Sequence, residues 1–315
     1  MHRLAALVLT LAVLSAAAPN AFAAQAAATP SGRPANAKDP TPEEVRQIEA
    51  AAAQIQPAAR PERTRRVLIF SVSFGYWHDA IPYGQAAFKA LGEKTGAYQA
   101  VVSDDPANFE PGKLDAFDAV VFNNTNNELF LPGNFDTLPA AEKAAAEARD
   151  AALKRSFAEY LAFGKGLVVV HAGVASFRKW PEFGEIIGAR FTSHPWQKAS
   201  VRIDEPDHPV AAAFGGKPFD LVDEIYQVEN PYSRSNVRVL LSLDPARTDL
   251  KAKGVARTDA DFAMTWVKLY GRGRVYYNAF GHRHEIYWNP AILKHWLDGV
   301  QFATGDLKAD AAPRP

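Results

Sequence analysis

The sequence predicts one α/β domain, built on a mainly parallel sheet with helices on both faces. Three observations predict it. Several strand-like runs are apolar throughout, as strands buried on both faces are. In the first half they alternate with helical stretches, the pattern of β-α-β units. The polar chemistry is concentrated where these runs end, and in parallel sheets ligands bind beyond the carboxyl ends of the strands.

Taken in order, the chain opens "MHRLAALVLTLAVLSAAAPNAFAAQ". A basic start at Arg3, an apolar run from Leu4 to Leu14 and the small-residue pattern Ala21-Phe22-Ala23 read as a signal peptide over 1–23. The run is too short to span a bilayer, which takes about 20 residues. A periplasmic or extracellular location is therefore expected, with no membrane insertion of the mature chain. Residues 24–65 read as a linker carrying one loosely attached helix, with Thr41 as N-cap and Pro42 at the first helical position.

"RVLIFSVS" (66–73) is a buried strand, and "YGQAAFKALGEKTG" (83–96) a helix stopped by Gly96. "YQAVVSD" and "DAVVFNN" (118–124) are the next strands. An Ala-rich helix runs from about Ala140 to Phe163 and ends at Gly164 and Gly166. "LVVVHA" (167–172), "ASVRI", "RVLLSL", "AMTWVKLY" and "RVYYNAF" are strand-like, and "PAILKHWLDGVQFAT" closes the domain as a helix begun by Pro290. The domain is set at 66–306, followed by a disordered tail over 307–315.

Composition narrows the function. The chain has 315 residues, 35 basic and 35 acidic side chains and no cysteine. Removing 1–23 takes away only Arg3 among the charged residues, so the charge stays balanced. No electrostatic footprint for nucleic acid or an anionic membrane results. Without cysteine there is no thiol nucleophile, no thiolate metal site and no disulfide. The nucleotide-binding loops, the G-x-S-x-G elbow and the H-E-x-x-H helix are missing, and no nucleotide cofactor is expected.

The strand exits carry the candidate residues. The first ends in "FGYWHDAI", with Tyr76, Trp77 and His78; the third in "NNTNNELF", with Asn123, Asn124 and Asn126. The fourth ends in His171, and the late strand in Gly281-His282-Arg283-His284. Each has a structural alternative. His78 can cap the helix near Ile81, His171 can be a core histidine bonded to backbone, and Asn clusters form turns. His208 before Pro209 marks a helix start, and His295 is structural. Aromatic faces at Tyr76, Trp77, Trp180 and Trp196, together with the amides, suit an uncharged polyhydroxylated ligand; aromatics also fill cores. His282-x-His284 with His78 or His171 offers three nitrogens, so a divalent metal is compatible, but no ligand set is assigned.

The ordered pieces "FGYWHDAI", "GKGLVVVHAG", "WPEFGEIIGARFTSHP", "FDLVDEIYQV" and "GRGRVYYNAFGHRHEIYWNPAILKHWLDGVQFATGD" resemble the ThuA-like family, named for trehalose utilisation, from about Arg66 to Asp306. The resemblance implies a flavodoxin-like fold of the class I glutamine amidotransferase-like superfamily. Those relatives place a nucleophilic cysteine at a strand-to-helix elbow whose counterpart here reads Val170-His171-Ala172-Gly173, and the chain has no cysteine, so amidotransferase chemistry is excluded. The resemblance selects His78, His171, His194, Asp223, Glu224, Tyr226 and His282. It implies carbohydrate catabolism, by hydrolysis or elimination of a glycoside or 3-keto-glycoside. His78, His171, Glu224 and His282 are the expected catalytic set, with His171 or His78 as base, Glu224 as acid, and His282 with Asn124 stabilising oxygen. Tyr76, Trp77, Asn123, Asn124, His194, Trp196, Asp223, Tyr226, Arg283 and His284 are the expected substrate contacts. A non-catalytic sugar-binding module and a metal-dependent hydrolase stand as alternatives. The segment 134–155 is longer than in shorter family members and can form a lid or lengthen a surface helix.

Overall fold

A computed structural model describes residues 31–314; the expected signal peptide lies outside them. The elements run α1 (Pro42–Ala53), β1 (Arg66–Phe70), α2 (Ile81–Thr95), β2 (Gln99–Val102), β3 (Ala119–Asn123), α3 (Ala140–Ala162), β4 (Gly166–Val170), α4 (Pro181–Ile187) and β5 (Arg190–Trp196). They continue through β6 (Ala199–Ile203), β7 (Phe219–Leu221), β8 (Ile225–Glu229), β9 (Arg238–Leu243), β10 (Ala263–Tyr270), β11 (Gly273–Asn278) and α5 (Pro290–Thr304).

The main sheet has the order β2-β1-β3-β4-β11-β10-β9-β6-β7. Its first five strands are parallel. That is the 2-1-3-4-5 order of flavodoxin-like folds, whose ligand site lies at the β1/β3 switch. Every residue of β3 and β4 is buried, as strands covered on both faces must be. Phe122 of β3 meets Phe157 of α3 and Phe183 of α4 on one face. The next residue, Asn123, points to the opposite face and donates to Ile81 O at the start of α2. On that side Phe88 of α2 stacks on Trp296 of α5.

Beyond β11 the sheet is antiparallel through β10, β9, β6 and β7. The reversal begins at the two-residue hairpin Gly271-Arg272, where Gly271 takes φ +57°. Uniformly apolar strands report burial on both faces, which β9 and most of β10 also have, so direction was not readable from composition. A second sheet pairs β5 with β8. Periodicity did not reveal either strand.

Two expectations about the flanks need correction. Helix α1 is not loosely attached. It begins in a capping box between Thr41 and Glu44 and buries Ile48, Ala51 and Ala52, and Tyr83 of α2 donates to Glu44 at 2.8 Å. The tail is ordered to Arg314: Leu307 and Ala311 are buried, and Arg238 pairs with Asp310. Of the two readings of segment 134–155, a lid or a lengthened surface helix, the structure has the helix. The segment starts α3, whose first turns are exposed while Leu153, Phe157 and Leu161 enter the core. Lys154 of the same helix pairs with Asp150 and with Glu128 beyond β3.

Because Ile48 is fully buried, Ile48→Ala should lower stability by about 2–5 kcal/mol in urea unfolding. A loss below about 1 kcal/mol, as for an exposed position, would restore the loose attachment.

Candidate functional site

The carboxyl ends of β1, β3, β4 and β11 lie side by side, and the chain following each brings a side chain to one rim. His78 comes from the loop after β1, His171 follows β4 directly, and His282 follows β11. Glu224 is delivered from outside the parallel strands, just before β8. The ring centroids of His78, His171 and His282 stand 5.1 to 5.5 Å apart. One donor atom from each imidazole and one from Glu224 lie within 4.8 Å of one another. Three of the expected catalytic residues thus converge on the fourth.

Glu224 divides its oxygens. Oε2 lies 3.5 Å from His171 Nε2 and 3.3 Å from His282 Nδ1, while Oε1 meets His194 Nδ1 at 3.0 Å. His194 sits on β5, so the small sheet supplies the outer wall. His171 is fully buried, and its other nitrogen, Nδ1, lies 2.7 Å from Ala279 O. That carbonyl can only accept, so Nδ1 carries the proton and the Nε2 lone pair faces the cluster. His78 does not cap α2, whose N-cap is Ala80; its Nε2 faces the Tyr226 hydroxyl at 3.2 Å.

Charge is unevenly distributed in this crowd. Burial pushes the His78 imidazole down to about 2, with His171 and His282 adding to the effect, so it stays neutral. Burial pushes the Glu224 carboxyl up, but the His171 and His282 imidazoles beside it outweigh that effect and hold the group well below the usual range. Contact with the Glu224 carboxylate raises His282 against the opposing effect of its burial. The metal-free site is therefore an anionic carboxylate with imidazoles gathered round it.

Two backbone features hold this arrangement. His171 takes φ +47°, a left-handed conformation costing about 1–2 kcal/mol for a residue with a Cβ. This is the strand-to-helix elbow where the related amidotransferases are expected to place their nucleophile. The second feature is the turn after β11, where Gly281 takes φ +135° and a Cβ would stand 3.0 Å from Tyr287 Oη and Val170 Cγ1. Asp223 accepts backbone N–H bonds from Gly281, His282 and Arg283 at 2.7, 3.1 and 2.9 Å. Its burial raises its pKa, an effect reduced but not cancelled by His171 and these amides.

Several expected substrate contacts have other employment. Asp223 is a positioning residue, since both oxygens are taken by that turn. Asn123 holds Ser71 Oγ and Ile81 O. The Asn124 amide donates to Gly281 O and Tyr287 Oη, so it braces the His282 turn and has no N–H left for a substrate oxygen. Trp196 is buried against Phe262 and donates to Asp249 O. His284 stacks on Tyr83 at 4.0 Å, away from the cluster, so the pairing of His282 with His284 on one ion is not formed. Arg283 turns to Glu285. The Trp77 indole nitrogen is buried without a partner. Tyr76 remains at the rim, 68% exposed, with its ring edge-on to His78. Tyr226 lies against the ring of His171. Tyr287, which donates to Gly281 O at 2.7 Å, was not found by sequence reasoning; a tyrosine beyond a strand exit has no local signature.

Removing the Asp223 carboxylate leaves three amides, one buried and two partly buried, without their acceptor, each charge-assisted bond being worth about 1.5–3 kcal/mol. Asp223→Ala should therefore lower stability by roughly 3 kcal/mol or more in denaturant unfolding; a loss under about 1 kcal/mol would remove its positioning role. At the elbow, His171→Gly should be more stable than His171→Ala by about 1 kcal/mol, because only glycine escapes the strain. An alanine variant of equal or greater stability would show that the backbone is not strained.

A family model described as ThuA, trehalose utilisation, matches residues 66–303. Among solved structures, a putative ThuA-like protein from Bacteroides uniformis is similar over 78% of this chain and 94% of its own, with 24% identity and a TM-score of 0.57. Another, from Parabacteroides merdae, is similar over 80% and 98%, with 15% identity and a TM-score of 0.51. No curated protein matches the chain by sequence. These likenesses in structure bear on the fold, and the family match spans the strand exits that build the cluster: the chain belongs to the ThuA family of carbohydrate-utilisation proteins.

Proposed function

We propose that the chain is an exported carbohydrate-catabolic enzyme acting on a glycoside or 3-keto-glycoside by elimination or hydrolysis. The observation that carries this reading is the convergence of His78, His171 and His282 from three strand exits on Glu224. Four titratable groups from distant segments, in a family tied to sugar utilisation, are far more than folding requires.

The geometry supports particular roles. His78 and His171 are buried, and His171 Nδ1 is fixed on a backbone carbonyl, so neither is placed to carry a proton to solvent. His194 is 55% exposed and rests on Glu224 Oε1. It is the better base, with the carboxylate orienting its ring. In a 3-keto-glycoside the ketone makes the C2 proton acidic. His194 takes that proton, the C–H electron pair forms the C1–C2 double bond, and the C1–O bond breaks. The departing oxygen then takes the proton from the His194 imidazolium, and addition of water to the unsaturated product gives net hydrolysis. His282, whose protonated form the Glu224 carboxylate favours, is the donor that meets the negative charge building on the ketone oxygen. Tyr76 offers an exposed aromatic face for the sugar ring.

The test is a product-resolved screen of disaccharides and their 3-keto forms with the purified chain. His194→Ala should lower kcat on an accepted substrate by about 10²–10⁴-fold, the usual share of a general base, with the fold kept because the side chain is exposed. Unchanged kcat would remove His194 from the role. Saturable sugar binding without turnover of any substrate would identify a binding module instead.

A further inference from the structure

We infer that His78, His171, His282 and Glu224 form a binding site for one divalent transition-metal ion, with three imidazole nitrogens and one carboxylate oxygen as ligands.

The donor set has the right chemistry. Imidazole suits zinc, iron and nickel, and three nitrogens with one oxygen make a closed tetrahedral set or leave positions open on a larger coordination sphere. The spacing fits as well. Metal bonds of ~2.1 Å at tetrahedral angles put neighbouring donors about 3.4 Å apart. Glu224 Oε2 stands 3.5 Å from His171 Nε2 and 3.3 Å from His282 Nδ1. The whole set needs to draw in from its present span of 4.8 Å.

The supporting contacts are those of a metal site. His171 Nδ1 on Ala279 O fixes the tautomer that turns an unprotonated Nε2 inward. That Nε2 belongs to a fully buried residue and makes no properly directed hydrogen bond. His282 Nδ1, on a partly buried residue, and one nitrogen of the buried His78 likewise make no directed hydrogen bond. Each unmatched buried polar atom costs about 1–3 kcal/mol, and two that face the same Glu224 oxygen make poor sense as packing. A cation satisfies them together. The Asp223 carboxylate fixes the turn bearing His282 through three amides, so the ligands are held before any ion arrives. Glu224 would then join the ion through Oε2 to the exposed His194 through Oε1.

This inference concerns the same cluster as the proposed function but does not rest on any substrate. The chain, stripped with chelator and dialysed, is titrated by calorimetry with zinc, cobalt and manganese ions in turn. The expected result is one ion per chain for at least one of them, with a dissociation constant of about 1 μM or tighter. Cobalt should give the visible absorption of a nitrogen-rich, low-coordinate site. His171→Gln and His282→Gln should each weaken binding beyond the about 10–100-fold lost when only an outer-shell partner is removed. His284→Gln should bind as the parent does, because His284 stacks outside the cluster. Circular dichroism checks that each variant is folded, and Glu224→Gln replaces any that is not. Binding by a chain that turns over no sugar would support the metal site while refuting the enzymatic reading. No binding by the parent chain, binding unaffected in the folded cluster variants, or binding lost in His284→Gln would overturn the inference.

Discussion

Two neighbouring carboxylates, Asp223 and Glu224, carry the constraint on which the site depends. A buried carboxylate is tolerable only when hydrogen bonds or opposite charge replace the water it has lost. Asp223 meets that demand with three backbone amides of the turn after β11. Glu224 meets it with imidazoles that arrive from the ends of β4, β5 and β11. One carboxylate therefore fixes backbone and the next gathers side chains. Neither could be satisfied by its own segment, which ties the antiparallel half of the molecule to the parallel half.

Strain at the rim follows from the same arrangement. His171 is left-handed, and so are Asn124, Asn127 and Phe177 in the loops around it. Such residues persist where their surroundings over-determine them. Here the surroundings are visible. Single bridges join Ser73 to Asn126 and Asn127 to Ser176, extending the pairing beyond the strand ends. Glu128 accepts from Lys179 N and pairs with Lys154 of α3, anchoring two of these loops to a helix. Asn124 and Tyr287 brace the turn carrying His282. The imidazoles thus stand on a laced platform rather than on free loops, which is what fixed geometry at a reactive site requires.

The site also joins two kinds of surface. His78, His171 and Glu224 are buried, while His194 and Tyr76 are open at the rim. Burial strengthens every electrostatic interaction inside, and the open edge lets a large polar ligand approach. The division explains why the same carboxylate can serve the closed cluster through one oxygen and an exposed histidine through the other.

The sequence by itself determined the parallel core and the place of the chemistry. Continuous apolar runs ending in His78, His171 and His282 could be read because burial on both faces leaves a compositional mark and strand exits are where that mark stops. The helix starts marked by Thr41 and Pro290 were equally local and equally legible. Tertiary structure alone decided the rest. Asp223 and Asn124 look like ligand-binding residues in a sequence, yet their hydrogen bonds go to a turn more than fifty residues away. His284 adjoins the site in the chain but stacks on α2. The small β5–β8 sheet, whose pairing depends on contacts distant in sequence, brings His194 to Glu224. Partners that meet only after folding leave no periodicity in the chain, so the strand ends announced a site and the folded sheet chose its members.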